Sequence, residues 1–183
     1  MMWLLLSVCF IVGYAQTAPD IPETFQVSVE IEIHSDETSF GSGVIARDES
    51  KGWGVEDIWI KEGANNVSQL RLERYDMGMV FLMRSSDRRC EIRNVTGSLP
   101  PYFKWVSCAS YTGQIKVREY TYDEWSLPGP GGSFDVFVDP EKPNVPAYVN
   151  TEVGITRRNA VYRDFNTATP SADMFAVPKE CQQ

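Results

Sequence analysis

The chain alternates between apolar and polar residues over most of its length, and the alternation is clearest near the start. Apolar side chains occupy every second position at Phe25, Val27, Val29, Ile31 and Ile33. The positions between them are polar: Gln26, Ser28, Glu30, Glu32 and His34. Successive side chains of a β-strand point to opposite faces of the sheet. The pattern therefore predicts a half-buried strand with one face toward the core and one toward water.

Similar segments follow along the chain, and turn-forming residues separate them. Glycine and proline mark turns at 41–43, 51–52 and 128–132, and the stretch 139–146 is another predicted turn. The further strands predicted are 43–47, 55–60, 68–75, 77–83, 89–95, 114–122, 134–138, 147–156 and 159–165. The stretch 99–105 breaks the pattern and predicts a short helix or a loop. Adjacent strands joined by short turns favour an antiparallel meander.

One strand differs from the others because both of its faces are apolar. Met79, Phe81 and Met83 share one face, and Val80 and Leu82 share the other. Such a strand must be covered on both sides. One cover is the main core, and the second is a helix, another sheet or a ligand. Methionine adapts to irregular apolar shapes, although an ordinary sandwich core explains this composition as well.

The first residues are typical of a secretory signal peptide. An apolar run over residues 3–12 precedes Gly13-Tyr14-Ala15, which has small residues at the −3 and −1 positions of a cleavage site. The run is too short for a helix that spans a membrane. We therefore predict a signal peptide at residues 1–15, removed after Ala15, and a single secreted domain at residues 16–183.

The composition of the chain restricts its partners. The net charge is −8. An acidic surface repels phosphate, so we expect neither nucleic acid nor anionic lipid headgroups as electrostatic partners. Mild acidity of this kind is usually a matter of solubility.

Residues for catalysis or for metal binding are scarce. His34 is the single histidine, and it closes the polar face of the first strand, which favours a surface position over a catalytic one. The cysteines do not have the spacing of metal ligands. Asp135, Asp139 and Glu141 are candidate calcium ligands, but the chain has no EF-hand loop. We expect no enzyme and no cofactor, with calcium left open.

Cysteines and sequons fit an oxidising secretory route. Cys9 leaves with the signal peptide, so Cys90, Cys108 and Cys181 remain. An odd number predicts one bridge with a leftover thiol, or a bridge to another chain. The sequons at Asn66 and Asn94 are predicted glycosylation sites.

An ordered set of short motifs in the second half of the chain resembles a known family. After Cys90 the motifs are Leu99-Pro100-Pro101-Tyr102-Phe103, Tyr111-Thr112-Gly113, Tyr122-Asp123-Glu124-Trp125, Phe134-Asp135-Val136-Phe137-Val138-Asp139, Val145-Pro146-Ala147-Tyr148, Tyr162-Arg163-Asp164-Phe165, Phe175-Ala176-Val177-Pro178 and Cys181. In this order they resemble the secreted ependymin-related proteins and their relatives with LolA-like domains. The resemblance spans about residues 25–181 and is strongest after Cys90.

This resemblance implies a fold and a function. The implied fold is mostly β, a curved antiparallel sheet in the form of a LolA-like half-barrel, with one or two short helices. Its concave face encloses an apolar cavity for lipids, and some members bind calcium or form dimers. The resemblance also implies a Cys90–Cys181 disulfide and leaves Cys108 unassigned. The chain has fewer cysteines than the vertebrate members, which leaves a homodimer open.

The sequence therefore predicts a secreted, non-catalytic binding protein for a lipid or another hydrophobic ligand. The predicted lining consists of Met79, Phe81, Met83, Trp59 and Trp105. The alternative is an extracellular matrix or cell-adhesion glycoprotein that acts through its glycans and its acidic surface, with calcium as a candidate cofactor.

Overall fold

The computed structural model describes residues 16–62, 65–86, 89–129 and 131–182, so the predicted signal peptide lies outside the described residues. The described residues form eleven β-strands. They are β1 (Thr24–His34), β2 (Thr38–Asp48), β3 (Trp53–Glu62), β4 (Asn65–Arg74), β5 (Met79–Arg84), β6 (Cys90–Asn94), β7 (Ser110–Val117), β8 (Tyr120–Gly129), β9 (Gly132–Asp139), β10 (Lys142–Val153) and β11 (Thr156–Asn166). Short 3₁₀ turns lie at Glu49–Lys51, Tyr75–Met77, Lys104–Cys108, Ala172–Phe175 and Lys179–Cys181.

All eleven strands belong to one antiparallel sheet with the order β6-β5-β4-β3-β2-β1-β11-β10-β9-β8-β7. Two meanders, β1–β6 and β7–β11, meet in the middle of the sheet where β1 pairs with β11. This architecture confirms the predicted fold class, a mostly β protein built on one curved antiparallel sheet. The short helices predicted beside the sheet are 3₁₀ turns in the described residues.

Three local predictions were wrong. The segment 114–122 is not one strand, because β7 and β8 form a hairpin whose turn includes Arg118 at φ 57°. Much of the predicted turn at 139–146 belongs to β10, which pairs with β9 through register shifts on both sides of Pro146. The glycines at 41–43 lie inside β2 and not in a turn.

Gly41 and Gly43 lie where β2 and β3 approach each other closely. A Cβ atom at Gly41 would be 2.6 Å from the main-chain oxygen of Trp59, and one at Gly43 would overlap the main-chain oxygen of Asp57. Glycine inside a strand marks a sharp bend or a close approach of two backbones. The two glycines therefore permit the sheet to bend between β2 and β3.

The two faces of the sheet carry separate apolar clusters. The face that bears Phe25, Val27 and Val29, here called the inner face, holds the larger cluster. Residues 95–109, here called the crossover segment, connect β6 to β7 and cover part of this face with Phe103 and Val106. Phe25 packs against Phe103 with 5.4 Å between the ring centroids. The crossover segment does not cover the part of β1 and β3 that bears Ile33 and Ile60.

A buried charged group attaches the crossover segment to the sheet. Arg47, which is 3% exposed, donates to Glu73 and, over 2.7 Å, to the carbonyl oxygen of Pro100. The main-chain N–H of Tyr102 donates to Glu49 Oε1 over 2.8 Å. Burial raises the pKa of the Glu49 carboxyl, although this hydrogen bond and the charge of Arg47 oppose the shift. These contacts fix the position of the crossover segment relative to β2 and β4.

The opposite face, here called the outer face, is covered at one end by the C-terminal segment, residues 172–182. Phe175 and Cys181 pack there against Leu72 and Phe81. The Cys90–Cys181 disulfide joins this segment to β6, which confirms the predicted pairing. Cys108 is a free and exposed cysteine. Within the described residues no helix is long and apolar enough to cross a membrane.

Candidate functional site

A groove with a volume of about 790 Å³ opens on the inner face, beside the area that the crossover segment covers. Residues of β1, β3, β4, β5, β6 and β11 line it. The lining residues are Ile31, Ile33, Glu56, Ile58, Ile60, Gln69, Leu70, Arg71, Leu82, Met83, Arg84, Arg89, Cys90, Glu91, Arg93 and Arg158. The volume lies within the range of about 300–1,000 Å³ that is typical of small-molecule sites.

Four isoleucines form the base of the apolar part of the groove, where Ile31 and Ile58 are buried and Ile33 and Ile60 are partly buried. Ile31 and Ile33 follow each other on the inner face of β1, and Ile58 and Ile60 do so on β3. Gly41 pairs with Ile31 on one side and with Ile60 on the other, so β2 adds no side chain between them. The alternation of β1 and β3 thus creates an apolar surface, and the glycines of β2 leave space above it.

The groove is also rich in arginine. Its lining contains five arginines and two glutamates, although the whole chain has a net charge of −8. Arg93 pairs with Glu91 across 2.7 Å at the edge of the sheet. Arg71 pairs with Glu73 across 2.8 Å. Burial favours the uncharged form of Arg71, but the hydrogen bond and the charge of Glu73 outweigh burial and raise its pKa.

Arg84 and Arg158 also line the groove, and their charges are less compensated. Within the described residues, neither has a carboxylate at ion-pair distance. Arg158 is half-buried and lies beside Ile33 in the β1–β11 register. It also lies near the hydrogen-bonded phenols of Tyr102 and Tyr162. Two positive charges therefore face an apolar surface without a fixed counterion from the described chain.

The structure places the predicted lining residues of β5 mainly on the outer face. Met79, Phe81 and Met83 pack in the cluster that Phe175 and Cys181 cover. Phe81 is 2% exposed there. The second cover that the two-faced strand requires is therefore supplied by the C-terminal segment. Met83 also borders the groove. Ligand binding by these three residues stays a prediction.

The two predicted tryptophans lie apart from each other. Trp59 is on the outer face of β3 and is 53% exposed. Trp105 belongs to the crossover segment, where it packs on the inner cluster with its ring 5.9 Å from that of Phe134. Neither tryptophan is among the residues that line the groove. Their roles in ligand binding also stay predictions.

His34 lies on the outer face, and its partners are local. Its Nδ1 is 3.2 Å from Thr38 Oγ1, and its Nε2 is 3.3 Å from Glu32 Oε1. The imidazole is about two-fifths exposed, with 42% of its side-chain surface accessible. The ring is thus a surface group between two strand neighbours, as the alternation of β1 indicates.

Other predicted sites have the following positions. Asn66 lies on β4 and Asn94 at the end of β6, and both are exposed. In the part of the chain that the structure describes, no three His, Cys, Asp or Glu side chains are grouped as metal ligands. Asp135 accepts hydrogen bonds from Ser126 and Ser133, and Asp139 accepts one from the Glu141 N–H. Glycosylation and calcium binding stay predictions.

Sequence reasoning missed the residues of the groove. The isoleucines were assigned to ordinary strand faces, and the arginines were not singled out. One available signal was the pair Gly41 and Gly43, which removes side chains from two successive inner-face positions of an otherwise regular strand. A second was the number of arginines between positions 71 and 93, of which Arg71, Arg84 and Arg93 lie on the inner face.

Comparisons with known proteins concern the fold. No family model matches the chain, and no curated protein matches it. It is similar to a LolA superfamily protein from Nitrosomonas europaea, with a TM-score of 0.46 and 12% identity over 89% of this chain and 94% of that chain. It is also similar to LprF from Mycobacterium bovis, with a TM-score of 0.43 and 9% identity over 86% of this chain and 90% of that chain. The resemblance to ependymin-related proteins stays a prediction.

Proposed function

We propose that this protein is a secreted, non-catalytic binding protein for a lipid or another hydrophobic molecule, and that the inner-face groove is its binding site. The observation that carries the proposal is the apolar surface of Ile31, Ile33, Ile58 and Ile60 in a groove of about 790 Å³. Ligand sites usually combine apolar side chains with polar groups that orient the ligand, and here eight of the sixteen lining residues are polar or charged.

The energetics support an elongated apolar ligand. Each methylene group that moves from water to an apolar surface contributes about 0.8 kcal/mol. Association costs at least about 4 kcal/mol, so several methylene groups are needed before binding becomes favourable. An acyl chain provides these methylene groups in an elongated shape that can lie over the glycines of β2, between the isoleucines of β1 and those of β3.

The disulfide supports a location outside the cytosol. Disulfides persist in oxidising compartments and are rare in the cytosol. The bond between Cys90 and Cys181 connects the C-terminal segment to β6, and both cysteines pack in the outer cluster. It is consistent with the predicted signal peptide at residues 1–15.

A titration with the uncharged dye N-phenyl-1-naphthylamine tests the proposal. We expect saturable binding with increased dye fluorescence. Ile60→Trp fills the groove with a larger side chain and should weaken dye binding at least about tenfold, which corresponds to about 1.4 kcal/mol. The matched control is Ile92→Trp, because Ile92 is 47% exposed on the outer face of β6.

Circular dichroism of both variants verifies that the sheet is intact. Equal loss of dye binding in the two variants, or no saturable binding by the unsubstituted protein, would contradict a hydrophobic site in the groove. Loss of binding on Met79→Gln with full binding by Ile60→Trp would move the site to the outer face and support the lining predicted from the sequence.

One observation favours a second function, that of an extracellular matrix or cell-adhesion glycoprotein. Phe40 and Trp59 are 57% and 53% exposed on the outer face, and they border the same shallow depression as Asn66. Exposed aromatic side chains are frequent at protein interfaces. In a cell-adhesion assay on protein-coated plates, Trp59→Ser should reduce adhesion if this surface is used, and Ile33→Trp should not, because Ile33 lines the groove and not this depression.

A further inference from the structure

We propose that the ligand of the groove carries an anionic headgroup, a carboxylate or a phosphate, and that Arg84 and Arg158 bind it. This inference rests on the proposed function, because it specifies the chemical class of the molecule that the apolar surface would hold. The ligand is thus a single-chain anionic amphiphile, and not a neutral lipid or a hydrocarbon.

The charge of the groove is opposite to the charge of the protein. The chain has 11 arginines and 6 lysines among its 17 basic residues. Five of the arginines line the groove, together with two glutamates and no lysine or aspartate. The lining residues therefore carry a formal charge of 5 − 2 = +3 on a chain of net charge −8. The repulsion of anionic headgroups expected from the net charge does not apply at this site.

The choice of arginine over lysine also points to a planar anion. The guanidinium group presents its donors in a rigid fork that matches carboxylate and phosphate geometry, and it is less strongly hydrated than an ammonium group. Among the described residues, no carboxylate forms an ion pair with Arg84 or Arg158, whereas Arg71 and Arg93 have Glu73 and Glu91. An incoming anion would therefore find two arginines without a competing partner from the described chain.

The positions of the two arginines fit an amphiphile. Arg84 pairs with Gln69 in the β4–β5 register, and Gln69 pairs with Ile58 of the apolar surface. Arg158 pairs with Ile33. Each arginine thus lies on the inner face within one or two strands of the isoleucines, and since β5 and β11 lie on either side of β1 and β3 in the sheet, the two arginines flank the apolar surface. Charged donors beside an apolar surface match a molecule whose headgroup and chain are directly joined.

Displacement of the bound dye measures headgroup preference. Palmitate and a lysophosphatidic acid are the anionic competitors, and hexadecanol and a monoacylglycerol are the neutral ones. We expect each anion to displace the dye at concentrations at least about tenfold lower than its neutral counterpart, because arginine forms stronger hydrogen bonds with a carboxylate or phosphate than with a hydroxyl group. The carboxylate and phosphate arms establish which headgroup is preferred.

Arg84→Gln and Arg158→Gln should each weaken displacement by palmitate about tenfold relative to displacement by hexadecanol. Arg158→Lys retains the charge, so displacement by palmitate should be weakened less in this variant than in Arg158→Gln. The control is Arg163→Gln, because Arg163 is on the outer face of the same strand and pairs with Glu30 across 3.3 Å. Palmitate should displace the dye from Arg163→Gln at the same concentrations as from the unsubstituted protein.

The outcomes separate this inference from the proposed function. Failure of the dye itself to bind contradicts the proposed function. Dye binding with equal displacement by palmitate and hexadecanol contradicts only the anionic headgroup. An equal effect of Arg163→Gln would overturn the assignment to Arg84 and Arg158. Displacement by inorganic phosphate alone, at the concentrations effective for lysophosphatidic acid, would overturn the amphiphile in favour of a free anion.

Discussion

Cys90 and Cys181 are 91 positions apart in the chain and are joined by a disulfide that holds the C-terminal segment over Phe81. A cross-link that closes a loop of this size stabilises the folded state by about 4–5 kcal/mol in the chain-entropy description. We expect Cys181→Ala to lower the free energy of unfolding by about this amount, measured by urea denaturation. Reduction of the unsubstituted protein should give the same loss, and an unchanged urea midpoint after reduction would contradict the structural role.

Cys108 should react without reduction because its thiol is exposed and outside the disulfide. Iodoacetamide should label Cys108 in the native protein, whereas Cys90 and Cys181 should become labelled only after reduction. Mass mapping of the alkylated peptides measures this difference. A covalent homodimer through Cys108 would instead block the label and appear as a dimer on a non-reducing gel that Cys108→Ser abolishes.

Phe81 contributes to stability through the outer cluster. Its side chain is 2% exposed. Phe81→Ala should lower the free energy of unfolding by about 3–5 kcal/mol because it removes apolar contacts and leaves a cavity. Phe40→Ala is the matched control, since Phe40 is 57% exposed and should change stability by less than about 0.5 kcal/mol. Equal urea midpoints for the two variants would show that the C-terminal segment does not cover Phe81.

Gly43 should not tolerate a side chain. A Cβ at this position overlaps the main chain of β3, so Gly43→Val forces the two strands apart. Overpacking costs about 1–3 kcal/mol, and here the clash is with the backbone, which relaxes less readily than a side chain. Ser42→Val provides the control, because Ser42 is exposed on the outer face of the same strand. Thermal denaturation of both variants tests the difference, and equal Tm values would contradict the close approach of β2 and β3.

Stability should fall at alkaline pH because of Tyr102. Burial raises the pKa of this phenol from 10.0 to about 12. Since the folded-state pKa lies above the unfolded value, the contribution is fully present below pH 10 and is lost as the pH rises toward about 12. At pH 11 the loss from this group is about 1.4 kcal/mol relative to pH 8.

Tyr102→Phe should remove that part of the pH dependence, measured by urea denaturation at pH 8 and pH 11. Tyr120→Phe is the control, because Tyr120 is 58% exposed. An unchanged slope in Tyr102→Phe would mean that the phenol is accessible to water in the folded state.

Local periodicity accounts for the strands, and its failures have local causes. The alternation of Phe25 to Ile33 predicts β1 and its buried face because one-residue slips would expose the whole apolar set. The turn of the β7–β8 hairpin was missed because Arg118 adopts a positive φ without the glycine or asparagine that usually marks such a position. The start of β10 was missed because Pro143 and Pro146 are turn signals, and here they lie at an irregular part of the ladder.

The groove was harder to predict than the strands because it depends on contacts between distant segments. The sequence indicates that the strand around Phe81 needs two covers, but it does not tell which segment supplies each cover. The outer cover comes from residues about 90 positions later, through Phe175. The part of the inner face that bears Ile33 and Ile60 stays open because the crossover segment does not extend over it. No local sequence pattern indicates how far the crossover segment extends over the sheet.

The pairing of β1 with β11 has a consequence for biosynthesis. One of the two neighbours of β1 is β2, the next strand along the chain, but the other is β11, which is synthesised last among the described strands. Until then β1 is an unpaired edge with an apolar face, the kind of edge that pairs with other chains. Contacts of such long sequence separation slow folding. The nascent protein therefore passes through a stage in which the N-terminal meander needs protection from aggregation, and the arrival of β11 ends that stage.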